Sequence, residues 1–166
     1  MSSVTVFRIS GADEAEFLAA VLASRPLHRP WVAPADTAER VHAMVERLQG
    51  PAHAGFLLRR RDTRALAGFV EVTNIVRGGF RSAYLGYYAF AGHQRQGFMR
   101  EGLALVVRTA FTQLKLHRLE ANIQPGNAAS IALVKSCGFA LEGHSPRYLK
   151  IGGRWRDHER WAVLAD

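Results

Sequence analysis

A single cysteine, Cys137, occurs in 166 residues, which excludes any disulfide within the chain and any zinc site built on paired cysteines. No apolar run approaches the roughly 18 residues that a membrane span needs, and no charged leader opens onto an apolar stretch. The expected location is therefore the cytoplasm, with no membrane partner. The phosphate loop of nucleotide hydrolases and the GxGxxG of dinucleotide-binding folds are both missing, so nucleotide hydrolysis and hydride transfer lose their usual signals. His28, His42, His53, His117 and His158 lack the pairing expected of metal ligands, and no metal is expected. Lysine is scarce and acid is in deficit: 22 Lys+Arg, mostly arginine, face 14 Asp+Glu for a formal charge of +8. Such a surface suits polyanionic neighbours, either a phosphorylated cofactor or a nucleic-acid-rich particle, and equally serves solubility. Trp31, Trp155 and Trp161 have no aromatic and basic interleaving around them, so they read as packing anchors and sequence-specific nucleic-acid binding is not expected.

What is present fits one domain over residues 1–166, without repeat or linker. Val4 to Ile9 alternates as a strand, and Ala12 to Ala23 places Phe17, Leu18, Val21 and Leu22 at helical spacing. Thr37 caps a second helix carrying Val41, Met44, Val45 and Leu48. Gly55 to Arg60, Ala65 to Ile75 and Ala83 to Phe90 are apolar segments joined by turns, which predicts three consecutive antiparallel strands. The strongest helical pattern runs from Phe98 to Leu116. Arg118 to Ile123 is a short strand, Asn127 to Cys137 a helix stopped by Gly138, and Arg147 to Ile151 forms a hairpin with Trp155 to Leu164. A meander followed by βα units predicts an α/β (α+β) fold with a mixed, mostly antiparallel central sheet of about six to seven strands flanked by helices.

The loop from His93 to Glu101 enters the strongest helix. A helix N-terminus offers unpaired amides and partial positive charge, Gly97 permits close backbone approach, and Arg95 and Arg100 add full charges: together a seat for a diphosphate. Read alone, one glycine before an amphipathic helix is equally an ordinary loop.

Its surroundings add to this. Leu85-Gly86-Tyr87-Tyr88-Ala89-Phe90, then Gln94-x-x-Gly97-x-Met99 entering a helix, then Leu119-Glu120-Ala121-Asn122, Asn127-Ala128-Ala129-Ser130 and Lys135-Ser136-Cys137-Gly138-Phe139 resemble, in that order, the GCN5-related N-acetyltransferases. Within them the chain is similar to the ribosomal-protein-alanine N-acetyltransferase branch, from about Leu66 to Ala165. The resemblance implies acetyl-coenzyme A lying between two strands that diverge after a bulge, with backbone contacts from Tyr88, Ala89 and Phe90. It implies that Gln94 and the amides of Arg95, Gln96, Gly97, Phe98, Met99 and Arg100 hold the diphosphate, and that Asn127 and Ser130 face the amide and sulfur end. The last loop position, usually glycine or alanine in the superfamily, is Met99, and a family carboxylate before Tyr148 is replaced by Arg147. Lys135 either assists with the cofactor or is solvated.

Acetyl transfer to an amine needs a neutral nucleophile and a proton for the departing thiolate. An N-terminal α-amine titrates near 7.8, so deprotonating it at neutral pH costs about 1 kcal/mol, against about 4.6 kcal/mol for lysine. Glu120 is the first candidate base, with Glu71 and Glu142 behind it and His93 and His144 as relays; each also reads as a surface or structural residue. The tyrosine that many superfamily members use to protonate the thiolate is Val134 here, and Ser130 is its substitute, a role that competes with helix capping. Three functions stay open: acetylation of a protein N-terminal α-amine in a ternary complex, with a ribosomal protein as candidate and ribosome association aided by charge; acetylation of a polyamine or an amine-bearing antibiotic; or a ribosome- or RNA-binding module without catalysis.

Overall fold

Seven strands form one sheet in the order β1-β2-β3-β4-β5-β7-β6, and the computed structural model describes residues 1–166. The strands are β1 Val4–Arg8, β2 Ala54–Arg60, β3 Leu66–Val76, β4 Ser82–Ala89, β5 Arg118–Ile123, β6 Ala140–Ile151 and β7 Arg154–Leu164. The helices are α1 Glu14–Ala23, α2 Arg25–His28, α3 Ala38–Leu48, α4 Phe98–Thr112 and α5 Ala128–Ser136. Every pairing is antiparallel except β4 with β5, the mixed, mostly antiparallel arrangement that the segment order predicts. No helix is long and apolar enough to cross a membrane.

Strand alternation divides the core between the two faces of the sheet. Phe56, Leu58, Val70 and Val72 face α4, whose Leu103, Val106, Val107 and Ala110 recur at helical spacing. Leu57 and Phe69 face the other way, onto Phe17 and Val21 of α1 and Val41, Val45 and Leu48 of α3. Two glycines let α4 come close to the sheet. A Cβ at Gly102 would sit 2.4 Å from Leu58 Cδ1, and one at Gly68 would sit 2.3 Å from Met99 Sδ.

Some boundaries differ from the sequence expectation. The first helix opens as a 3-10 turn at Gly11–Asp13, and Leu22 is 41% exposed because α1 buries only Phe17 and Val21 fully. The fourth helix ends at Thr112, since Lys115 adopts φ 58 and turns Leu116 back into the core. Strand β6 starts at Ala140, well before Arg147; its side chains are mostly exposed and its register breaks twice, so hydrophobic alternation carries little trace of it.

The single parallel pairing decides where the site lies. Strands β4 and β5 pair only at Ser82↔Arg118, Ala83↔Leu119 and Tyr84↔Glu120. Beyond Tyr84, β5 stays with β7 through Ile123↔Glu159 while β4 stays with β3 through Ala89↔Gly68, and a gap opens between them. No bulge marks this divergence: β4 pairs without interruption from Tyr84 to Ala89, and its register break with β3 lies at the other end, between Thr73 and Val76. Each strand follows its antiparallel partner.

Candidate active site

At the gap a cavity of about 460 Å³ opens beside the start of α4. Of the positions marked by the sequence, Tyr88, Ala89, Gln94, Arg95, Gly97, Met99, Arg100, Asn127 and Ser130 line it. Phe90, Gln96, Phe98 and Glu120 do not.

Each of these four has a physical reason. The Phe90 side chain is 2% exposed, its amide donates to Ala67 O at 2.9 Å and its carbonyl accepts from His93 N at 3.2 Å, so its backbone is already engaged. Gln96 Nε2 donates back to Gly92 O at 2.8 Å and closes its own loop. Phe98 packs with Val4 and Ala67, with the Arg60 guanidinium 4.8 Å over its ring, and so anchors the loop by its side chain. Glu120 lies in an ion pair with Arg118 Nε at 2.8 Å. Arg118 also holds Glu142, and Glu71 pairs with Arg47 at 3.3 Å, so all three candidate carboxylates face arginines.

The loop itself is shaped by two left-handed residues, Arg95 at φ 60 and Gly97 at φ 83. Gly97 is the N-cap of α4 and brings no side chain to it, so the first-turn amides keep no intrahelical or capping partner. Across the cavity, alternation along β4 supplies a second set of free groups. The Phe90 amide bonds β3, so by alternation Tyr88 turns its backbone groups to β3, and Tyr87 and Ala89 turn theirs to the gap. The Ala89 carbonyl is taken by His28 Nε2 at 2.8 Å; the Ala89 amide and both groups of Tyr87 have no neighbouring strand.

The first turn of α5 forms the far wall. Asn127 caps that helix by accepting from Ser130 N at 3.3 Å, and Ser130 Oγ lies 2.6 Å from the Tyr87 hydroxyl. Burial pushes the Tyr87 phenol well above its ordinary range, so it stays protonated. Lys135 points elsewhere, its Nζ 5.4 Å over the Trp161 ring. His93 lines the cavity with an imidazole lowered by burial and then by Arg60, whereas His144 pairs with Asp157 at 3.4 Å on the surface.

Sequence reasoning passed over the segment that covers the gap. Leu27, His28, Trp31 and Val32, from α2 and the turn after it, line the cavity, as does Tyr87. Gln124 Nε2 ties this segment to the end of β5 through Pro30 O at 3.4 Å and Trp31 O at 3.3 Å. The Trp31 ring lies against Gly126, where a Cβ would be 3.5 Å from Cη2. In the sequence this segment carries only Pro26 and Pro30, which mark breaks in the chain and say nothing of what it covers.

Residues 5–140 match the model of a family described as acetyltransferase (GNAT) domain. The probable N-acetyltransferase YjcK of Bacillus subtilis (strain 168) is 36% identical over 76% of this chain and 70% of its own length. The ribosomal protein uS5-alanine N-acetyltransferase of Escherichia coli (strain K12) is 38% identical over 58% of this chain, a match spanning half of that enzyme's length (50%). Among solved structures, Mycobacterium smegmatis RimJ in complex with CoA-disulfide superposes with a TM-score of 0.89 at 26% identity, over 98% of this chain and 82% of that one. The spermidine N-acetyltransferase from Vibrio cholerae in complex with CoA and spermine superposes at 0.83, over 98% of this chain and 95% of that one; at 23% identity this is a likeness of fold alone.

Proposed function

We infer the acceptor and the roles of individual residues from one premise: the chain belongs to the acetyltransferase (GNAT) domain family and is an N-acetyltransferase. Acetyl-coenzyme A is the donor used in this family, and when bound it supplies an acetyl group activated as a thioester. The observation that carries the reading is the meeting of two unpaired backbone arrays on one cavity, the first-turn amides of α4 and the free edge of β4 at Tyr87 and Ala89. The former would hold the diphosphate, together with Arg95 and Arg100; the latter would hold the amide-bearing arm. Ser130, with Tyr87 donating to its Oγ, would direct its own proton into the cavity toward the departing sulfur.

The acceptor we propose is a protein N-terminal α-amine, with a ribosomal protein as the candidate substrate. No Asp or Glu lines the cavity. Lysine-like amines would need a strong base there, whereas an α-amine near 7.8 gives up its proton for about 1 kcal/mol. The identity to the Escherichia coli enzyme over more than half of this chain supports the same acceptor class, and the charge of +8 favours approach to a ribosome.

Calorimetric titration with acetyl-coenzyme A tests the donor. Incubation with acetyl-coenzyme A and either an alanine-initiated peptide or spermidine, read by mass spectrometry, tests the acceptor. Acetylation of spermidine and of no peptide would reject it.

A further inference from the structure

Strand β7 has no inner neighbour before Glu159. Pairing with β5 stops at Ile123↔Glu159, so Leu149 to Arg156 continue beyond it as a two-stranded arm with the register Leu149↔Arg156, Lys150↔Trp155 and Ile151↔Arg154. Gly152 and Gly153 close the arm at φ 57 and φ 79, the two left-handed residues that a tight hairpin turn needs. The sequence reads Trp155 as a packing anchor; on the arm it is instead 60% exposed, because no third strand lies beside it.

Cross-strand partners share a face, and neighbours along a strand alternate between faces. Trp155 therefore shares one face with Lys150, while Arg154 and Arg156 share the other with Leu149 and Ile151. Arg147, Lys150, Arg154 and Arg156 take part in no ion pair, whereas Arg47, Arg59 and Arg118 are each held by a glutamate. The acid that follows them, Asp157, is occupied by the Arg147 amide at 2.8 Å and by His144 at 3.4 Å. At the foot of the arm, Ile151 and Gly152 border a second cavity of about 230 Å³ together with Arg25, Arg29 and Arg40. Its one acid, Asp36, is held by Arg40 at 2.5 Å and Arg25 at 3.5 Å, so positive charge runs from the arm onto the body of the protein.

We propose that this arm is a docking surface for RNA, in which an unpaired base stacks on the Trp155 indole and Lys150, Arg154 and Arg156 hold the sugar–phosphate chain. Any polyanion answers the charge; a nucleic acid also brings a flat π-face to the exposed indole. A membrane surface takes tryptophan with arginine too, and it needs the apolar groups on one face. Here Trp155 and Leu149 lie on opposite faces of the arm, so no single face enters a bilayer. Stacking and charge carry no base identity, so the contact is independent of RNA sequence.

RNA as the source, and its use in acetylation, rest on the ribosomal acceptor inferred above. No residue of the arm lines the 460 Å³ cavity, which shares His28 and Val32 with the smaller one. An RNA-bound acceptor is thereby held one cavity away from the transfer site, and acetyl-coenzyme A keeps its own seat.

The test titrates the full chain at low salt with an oligouridylate of about twelve nucleotides and follows indole fluorescence. Stacking on Trp155 is expected to quench the emission, whereas a polyphosphate of similar length, which has charge and no base, leaves it unchanged. Trp155→Leu should remove the quenching and lower affinity about tenfold. Lys150→Gln combined with Arg154→Gln should weaken binding and reduce the slope of log K against log salt by about 1.4, or about 0.7 for each phosphate contact. Calorimetric affinity for acetyl-coenzyme A should stay within about threefold in both variants, since neither touches that cavity. An alanine-initiated peptide joined to the oligouridylate should be acetylated about tenfold faster than the free peptide when both are dilute. Trp155→Leu should lose that advantage and keep its rate on the free peptide. Unquenched emission with RNA, quenching that survives in Trp155→Leu, polyglutamate bound as tightly as RNA, tighter binding to phosphatidylglycerol vesicles, or a dimer that Trp155→Leu splits would overturn the proposal. RNA binding with acetylation of neither peptide sinks the acceptor reading alone; acetylation of the free peptide without quenching by RNA sinks this one alone.

Discussion

The Tyr87 hydroxyl lies 2.6 Å from Ser130 Oγ and joins β4 to the first turn of α5 across the gap, where no strand pairing remains. Burial holds the phenol protonated, its titration pushed well above the ordinary phenol range. When Tyr87 donates, the Ser130 proton is free for another acceptor. The pair therefore sets the direction of one hydroxyl at the mouth of the cavity.

Ser130→Ala is expected to lower kcat about 100-fold, and Tyr87→Phe about tenfold, with acetyl-coenzyme A affinity within threefold in both. In the double variant the losses should not multiply, because Tyr87 acts through Ser130. Steady-state kinetics of all three variants, with calorimetry for binding, checks this; multiplying losses would mean that the two residues act independently.

Gly97 has φ 83 and no atom within 4 Å of where a Cβ would stand. Space is available and the backbone conformation is not, so Gly97→Ala should cost about 1–2 kcal/mol in strain. Gly97→Glu adds a negative charge beside the amides of α4 and should weaken acetyl-coenzyme A binding more than about 100-fold while circular dichroism stays native. Equal affinities of the alanine and glutamate variants would mean that no anion sits there.

Gly102→Val tests whether close contact of α4 with the sheet positions the loop. The new side chain would start 2.4 Å from Leu58 Cδ1, and Leu58 is fully buried with nowhere to turn. Overpacking of this kind costs about 1–3 kcal/mol, readable as a shift in the urea midpoint, and acetyl-coenzyme A affinity should fall with it.

Glu101 in the first turn of α4 anchors β1. Its carboxylate accepts from Ser3 N at 3.0 Å, Val4 N at 3.3 Å and the hydroxyls of Ser2 and Ser3. Burial would raise this carboxyl, and the hydrogen bonds from Ser2, Ser3 and Val4 more than offset it, holding it at about 2 instead of its usual 4.5. A folded-state value below the unfolded one gives stability that is complete above about pH 4.5 and lost as pH falls toward 2. Glu101→Gln should cost about 1–2 kcal/mol at pH 6, or about 2–8 °C in Tm, with the difference from wild type closing near pH 2. Melting curves across that range check it; a difference that persists at pH 2 would assign the loss to packing.

Much of the fold was legible because hydrophobic periodicity is a local record of burial. Strands β2 and β3 are buried on both faces and read as continuous apolar runs, and the stripe of α4 faces one core at clean helical spacing. Strand β6, with mostly exposed side chains, left only its last turn visible. At the site, the loop around Gly97 was readable because a helix start and a positive φ are local requirements. The engagement of the Phe90 backbone was not legible, because its amide bonds Ala67 on the neighbouring strand, a partner that local spacing does not record.

The sequence alone determined the order of elements and the glycine at the head of α4, which follow from short-range spacing and conformational preference, and the resemblance of its ordered motifs pointed to the family. Tertiary structure decided which polar groups end up with partners and which do not. Glu142 meets the Arg118 guanidinium, which also holds Glu120 on the same strand, only because β5 and the β6–β7 hairpin come together; Tyr87 meets Ser130 only because β4 and β5 part after Tyr84. His28 keeps a bare Nδ1 only because α2 folds over the free edge of β4. Hydrogen bonding and desolvation depend on what lies within a few ångströms in space, and that neighbourhood is drawn from the whole length of the chain.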